Sequence, residues 1–387
     1  MPSNAVQEQV TTVQELVTTA VREHVTTAVR EPVATAVREP VATAVREFTT
    51  GSLAPVPQTY THKTRQEEVL LRTWERTGPD AFTVTAEWPR DHRFYRTRHG
   101  LLDPMLLSET IRQTLPLLSH GAYAVPFGHQ LLWQDLDWHM ATPAPAAGPE
   151  IPMGLEGPLA PHARSDSAPA TPAGLESPVA LRAGSDPEPA LVELRITCPK
   201  VTYRRDRAAS IALSVEVLRD GAPFATAHSR FTIQDRAVYE RLRGRYADIA
   251  ALRVLPLSPP ASPRPVGRDG FEDVVLSPTH TPDRWQLRAD TTHPILFDHA
   301  VDHAPGMLLL EAARQAAQAL AHPTPTIAVG MESVFTRYAE LDVPCWILAD
   351  AHPADSLGRT RVHVTARQND RDIFTSTVTL APLPTHL

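Results

Sequence analysis

Between His293 and Leu320 the chain reads HPILFDHAVDHAPGMLLLEAARQAAQAL, and its polar residues fall at chemically useful spacings. Asp298, His299, Asp302 and His303 repeat an Asp-His pair at an interval of four. Glu311, Arg314, Gln315 and Gln318 follow in a run otherwise built of Leu and Ala. At about 100° per residue those last four share one stripe of a helix. On an arbitrary helix the stripe would be a solvated face, with an i,i+3 ion pair worth roughly a few tenths of a kcal/mol. A carboxylate sheltered from water instead has a raised pKa and can take a proton from a substrate. The paired Asp-His segment could form a metal site or a loop tied by its own hydrogen bonds. Pro305 and Gly306 lead into the helix, so the first-turn N–H groups at Gly306 and Met307 lack intrahelical partners and sit at the positive end of the macrodipole. A thioester carbonyl placed there is polarised, and the oxyanion of a tetrahedral intermediate stabilised.

The same helix motif occurs twice. Met105–Gln113 reads MLLSETIRQ and Met307–Gln315 reads MLLLEAARQ, so Glu109, Arg112 and Gln113 match Glu311, Arg314 and Gln315. The flanks repeat as well. FTVTAEW from Phe82 alternates as a strand does and precedes the first helix. GHQLLWQDLDW, VELRITCPKVTY, IALSVEVL and FATAHSRFTI follow it. In the second half DRWQLRAD precedes the helix, and TIAVGMESVFTRY, CWILADA, RVHVTAR and IFTSTVTL follow. Asp220-Gly221 and Asn369-Asp370 supply matching tight turns before the last strand. Pro116 is expected to shorten the first helix.

Each half therefore predicts one long central helix wrapped by a curved antiparallel sheet. This is the hotdog arrangement, here an α+β tandem double hotdog, and its helix must be apolar nearly all round. A polar stripe on such a helix has little solvent to face and is expected to line the cleft between the units. Octads beginning VREHVTTA at Val21 and VREPVATA at Val29 and Val37 mark residues 1–58 as a low-complexity tail, read as disordered because Pro32 and Pro40 break any helix. A Pro/Ala-rich insertion at 141–190, also read as disordered, divides the first unit (59–235); an interdomain helix and loop (236–282) and the second unit (283–387) complete the chain.

A net charge of −7 gives no electrostatic reason to bind nucleic acid or an anionic membrane. No run approaches the ~20 apolar residues that span a bilayer, and no basic-then-apolar leader opens the chain, so a cytoplasmic location is expected. The two cysteines, Cys198 and Cys345, form no disulfide framework. They lie in strands with no histidine partner in view, so neither is a candidate covalent nucleophile.

The second-half motif HPILFDHAVDHAPGMLLLEAARQAA resembles the signature of the AfsA family of A-factor (γ-butyrolactone) biosynthesis proteins. HKTRQEEVLL from His62, FTVTAEWPRDHRFY from Phe82 and HGLLDPMLLSETIRQ from His99 are similar to that family's first repeat. The resemblance implies an acyltransferase that joins a β-ketoacyl group from acyl carrier protein to the hydroxyl of dihydroxyacetone phosphate, the first step towards a butyrolactone-type signal. Carried over by position, Glu311, Arg314 and Glu109 are the implied catalytic residues: Glu311 as proton acceptor, Arg314 on the triose phosphate or on Glu311, and Glu109 as the matching base or a substrate ligand. Gly306, Met307, Asp298, His299, Asp302, His303, Arg112 and Gln315 are the implied substrate contacts. No metal or cofactor is called for. Two other readings stay open on the same scaffold: a dehydratase, hydratase or thioesterase using His299 or His303 with a carboxylate, and a non-catalytic binding or sensing protein.

Overall fold

The computed structural model describes residues 54–141 and 189–383. The octad repeats and the insertion from 142 to 188 lie outside them. In the first half the strands are β1 (Ala54–Pro55), β2 (Leu71–Gly78), β3 (Ala81–Trp88), β4 (Gln130–Met140), β5 (Ala190–Arg204), β6 (Arg207–Arg219) and β7 (Ala222–Gln234), with helix α1 (Met105–Leu117) between β3 and β4. Helix α2 (Arg236–Arg243) opens the connection, capped by Asp235, which accepts the Ala237 N–H. The second half holds β8 (Leu276–Pro278), β9 (Arg284–Leu287), α3 (Gly306–Ala321), β10 (Thr326–Phe335), β11 (Trp346–Ala351), β12 (Thr360–Gln368) and β13 (Arg371–Pro382).

All the described strands join one antiparallel sheet in the order β1-β2-β3-β5-β6-β7-β4-β10-β13-β12-β11-β9-β8. The halves meet at β4 and β10, where Trp138 pairs with Met331 and Leu136 with Ser333. The sheet curls over both helices, which forms the tandem double hotdog. Its inward faces follow the two-residue alternation: Phe82, Val84, Ala86 and Trp88 of β3 are buried while their neighbours are partly exposed. The Asp220-Gly221 and Asn369-Asp370 turns have positive φ at both residues, as two-residue hairpins require.

Both helices are buried on nearly every face. On α1 that includes Ser108 and Thr110, whose hydroxyls accept the indole N–H groups of Trp138 (2.9 Å) and Trp88 (2.8 Å) from the surrounding sheet. Buried polar groups thereby keep hydrogen-bond partners. Pro116 lies within α1, which runs 13 residues against 16 in α3 and passes at once into a wider π-type turn over Leu118–Ala122. Three strands are absent from the sequence expectation. β1 pairs Ala54 and Pro55 with β2, so sheet pairing begins inside the stretch expected to be tail. β2 and β8 carry polar or very short sequences without a clean alternation.

Candidate functional site

A cavity of about 550 Å³ opens where the two halves meet. One wall is first-half: His62, Lys63, Glu109 and Arg112, with Trp133 of β4. The facing wall is second-half: Asp298, His299, His303, Gly306 and Met307 at the entry to α3, with Arg337 and Tyr338 after β10. Seven of the residues singled out by motif therefore line one space: Glu109, Arg112, Asp298, His299, His303, Gly306 and Met307.

Glu109 is held from three sides. Lys63 Nζ lies 3.0 Å from Oε1, Arg112 donates to both oxygens at 2.9 and 3.0 Å, and Gln113 donates to Oε1 at 2.8 Å. Burial disfavours its charge, but Arg112 and Lys63 outweigh that and hold the carboxyl at about 2. Glu109 is thus a fixed anion that leaves the cluster one net positive charge. It organises two cations at the cavity wall.

On the other wall α3 begins without a side-chain cap. The Leu308 and Leu309 N–H groups return to the Pro305 carbonyl, and no acceptor among the described residues takes those of Gly306 and Met307. The first residue must be glycine because the Trp133 indole lies against it: a Cβ there would sit 2.9 Å from the ring. Trp133 is fixed by stacking on Phe335 (centroids 5.3 Å apart, 6° between planes) and by donating to Ser229.

The Asp-His pairs divide. Asp302 is buried and accepts from Tyr239, from Arg243 (2.7 Å) and from His303 Nδ1 (2.7 Å). Burial opposes its charge, yet these donors hold it well below the usual carboxylate range. It does not line the cavity; it orients His303, whose Nε2 is left as the free ring nitrogen. Asp298 accepts the Thr64 N–H at 2.8 Å, tying the two halves together, and His299 is half-exposed at the cavity wall. Among the described residues no group of three or more His, Cys, Asp or Glu side chains is arranged to hold a metal ion.

Glu311, Arg314 and Gln315 stand elsewhere. The expectation that their stripe faces the cleft is not met: none of the three lines the cavity. Glu311 is fully buried, bonded by Arg314 (2.6 and 2.9 Å), Gln315 (2.6 Å) and Arg268 Nε (2.8 Å). Arg268 also donates to the Phe94 carbonyl and lies 3.5 Å from Asp103, the residue whose carboxylate caps α1 at the Met105 N–H. The counterpart of the open site, a helix glutamate facing the other helix's N-terminus, is therefore closed by Arg268 and capped by Asp103. Burial again disfavours the charge, and Arg268 with Arg314 holds Glu311 at about 2. A carboxylate enclosed in this way has no face open to the cavity.

His62 and Lys63 open the HKTRQEEVLL run that is similar to the family's first repeat, but nothing in that run marks them, or Arg268, as site residues. The signal that finds them is a second internal match, HKTRQEEVLL from His62 against GRDGFEDVVL from Gly267, which sets Lys63 opposite Arg268. Burial pushes the thiols of Cys198 and Cys345 up to about 11 and about 12, which removes both as nucleophiles near neutral pH.

The family model for the A-factor biosynthesis hotdog domain matches residues 45–235 and 250–384. The chain belongs to the A-factor biosynthesis hotdog family. Its curated relatives in the family include 2-oxo-3-(phosphooxy)propyl 3-oxoalkanoate synthases of Streptomyces virginiae, 40% identical over 82% of this chain and 95% of the relative, and of Streptomyces coelicolor, 35% identical over 84% and 91%. Among solved structures the fold is distantly similar to a 12:0-ACP thioesterase from Umbellularia californica (TM-score 0.41, 6% identity, 78% of this chain and 94% of that one). An acyl-ACP thioesterase from Bacteroides thetaiotaomicron stands similarly (TM-score 0.40, 10% identity, 78% and 98%). Among the described residues no helix is long and apolar enough to cross a membrane.

Proposed function

We propose that this protein is an acyltransferase that makes a 2-oxo-3-(phosphooxy)propyl 3-oxoalkanoate, the product its relatives are named for. Such an ester joins a β-ketoacyl group to a phosphorylated three-carbon alcohol. The donor in this reading is a β-ketoacyl thioester on acyl carrier protein, the acceptor is dihydroxyacetone phosphate, and the setting is the cytoplasm. The product is the precursor of a butyrolactone-type signal.

One observation carries the reading. The cavity sets a net-positive cluster, Lys63 and Arg112 on Glu109, opposite an uncapped helix N-terminus. The cations suit a phosphate. The Gly306 and Met307 N–H groups suit a thioester carbonyl, because they point at the oxygen that gains charge as the hydroxyl attacks. A thioesterase or dehydratase would use the second feature but has no need of the first. In this reading Glu109 holds the cations, and Glu311 with Arg314 is a strut rather than the base and phosphate ligand expected from position.

The test is to incubate the purified protein with a β-ketoacyl carrier protein, with and without dihydroxyacetone phosphate, and to follow products by mass spectrometry. A phosphate-bearing ester formed only with the triose supports the reading. Free acid or an enoyl product, independent of the triose, supports hydrolase or dehydratase action, and no turnover at all supports a binding role.

A further inference from the structure

The internal match between 62–71 and 267–276 is structural as well as sequential. Lys63 bonds Glu109 as Arg268 bonds Glu311. Gln113 donates to the Glu68 carbonyl and accepts the Leu70 N–H, just as Gln315 donates to the Asp273 carbonyl and accepts the Val275 N–H. Glu68 meets His92 as Asp273 meets His293. Within this frame His62 stands where the other half has Gly267. Both backbones are left-handed, with φ of 53° and 68°. Glycine adopts that conformation freely, whereas a side chain there costs about 1 kcal/mol. The strained position bears an imidazole only in the half whose cavity is open, and strain of this kind gathers at functional sites.

The hydrogen bonds fix the tautomer of that ring. His120 Nδ1 lies 2.7 Å from the Val125 carbonyl, which can only accept, so Nδ1 carries the proton. Burial keeps His120 neutral by lowering its pKa, so its Nε2 is an acceptor. His62 Nε2 lies 2.8 Å from it and must therefore donate. The lone pair of His62 is left on Nδ1, which has no partner among the described residues, and the ring lines the cavity beside Lys63 and Arg112.

We propose that His62 is the base of the transfer: its Nδ1 takes the proton of the acceptor hydroxyl, and His120 holds the ring for that step. The inference rests on the acyltransferase reading above. The O–H proton passes to Nδ1, the oxygen forms a bond to the thioester carbon, and the oxyanion sits on the α3 N–H groups. The C–S bond then breaks and the proton moves to the departing thiolate, giving ester and free carrier thiol. His303 stands on the opposite wall beside α3. A three-carbon acceptor whose phosphate is held by Lys63 and Arg112 keeps its hydroxyl near those residues, and His62 adjoins Lys63. In the free protein, burial and then the fields of His120, Arg112 and His299 hold the His62 imidazole down to about 3. A phosphate dianion on Lys63 and Arg112 opposes this, so the ring gains basicity as the acceptor binds.

His62→Gly is the informative variant, because glycine relieves the backbone. The expected result is a melting temperature equal to or above wild type, with kcat lower by about 10²- to 10⁴-fold and partial recovery of kcat on adding imidazole. A kcat within about threefold of wild type, or a loss that imidazole does not restore, overturns the proposal. Ester formation by the wild-type protein is scored separately: its absence overturns the acyltransferase reading and this inference with it, whereas its presence alongside an indifferent His62→Gly overturns this inference alone.

Discussion

Arg268 stands on Glu311 as Lys63 stands on Glu109, at 2.8 and 3.0 Å, yet the two pairs have opposite surroundings. The lysine pair faces a cavity. The arginine pair fills the space its duplicate leaves open, because the longer guanidinium continues to the Phe94 carbonyl and to Asp103.

The closed pair should register in stability and not in turnover. Glu311→Gln leaves Arg268 and Arg314 buried without their countercharge, for a loss of about 3 kcal/mol in urea unfolding, while kcat stays within about threefold of wild type. A large fall in kcat at unchanged stability would return Glu311 to the chemistry.

Acid should unfold the protein through the same two carboxylates. Glu109 and Glu311 are held at about 2 against an ordinary value of 4.5. Depressed folded values mean that their contribution is complete above about 4.5 and is lost as pH falls towards 2. Melting temperatures measured from pH 7 to 3 should drop below pH 4.5, and the drop should be shallower in Glu311→Gln, which has one such group fewer.

Gly306→Ala places a methyl 2.9 Å from the Trp133 ring. The indole is locked by Phe335 and Ser229, so either the ring or the helix start must shift. A stability loss of about 1–3 kcal/mol and a fall of about tenfold or more in kcat are expected, read by calorimetry and by ester formation. Unchanged kinetics would mean that the α3 N-terminus is not where the carbonyl binds.

If transfer is direct, sulfur is dispensable. The Cys198→Ala/Cys345→Ala double variant should keep kcat within about threefold, and intact-protein mass spectrometry of wild type with donor alone should show no acyl adduct. A stable adduct on either residue would overturn direct transfer.

The duplicated Met-Leu-Leu-x-Glu-x-x-Arg-Gln run and the alternating strands were enough to read the architecture, and the run with the segment before its second copy singled out Glu109, Gly306 and His303, which line the cavity. Which glutamate faces the cavity was not legible. That depends on Arg268, which lies 43 residues before Glu311 in a loop whose match to 62–71 keeps only Glu, Val and Leu unchanged. The role of His62 was hidden for the same reason, since its tautomer is set by His120, 58 residues away. Spacing along a helix reports which side chains share a face; it does not report which loop arrives to cover that face.

The β4–β10 junction puts both hotdogs on a single polypeptide. In an assembly of two identical chains every codon change appears in both clefts at once, so neither can be given up without the other. Fusion removes that symmetry. A single chain can therefore enclose Glu311 as internal scaffolding while Glu109 stays at an open wall.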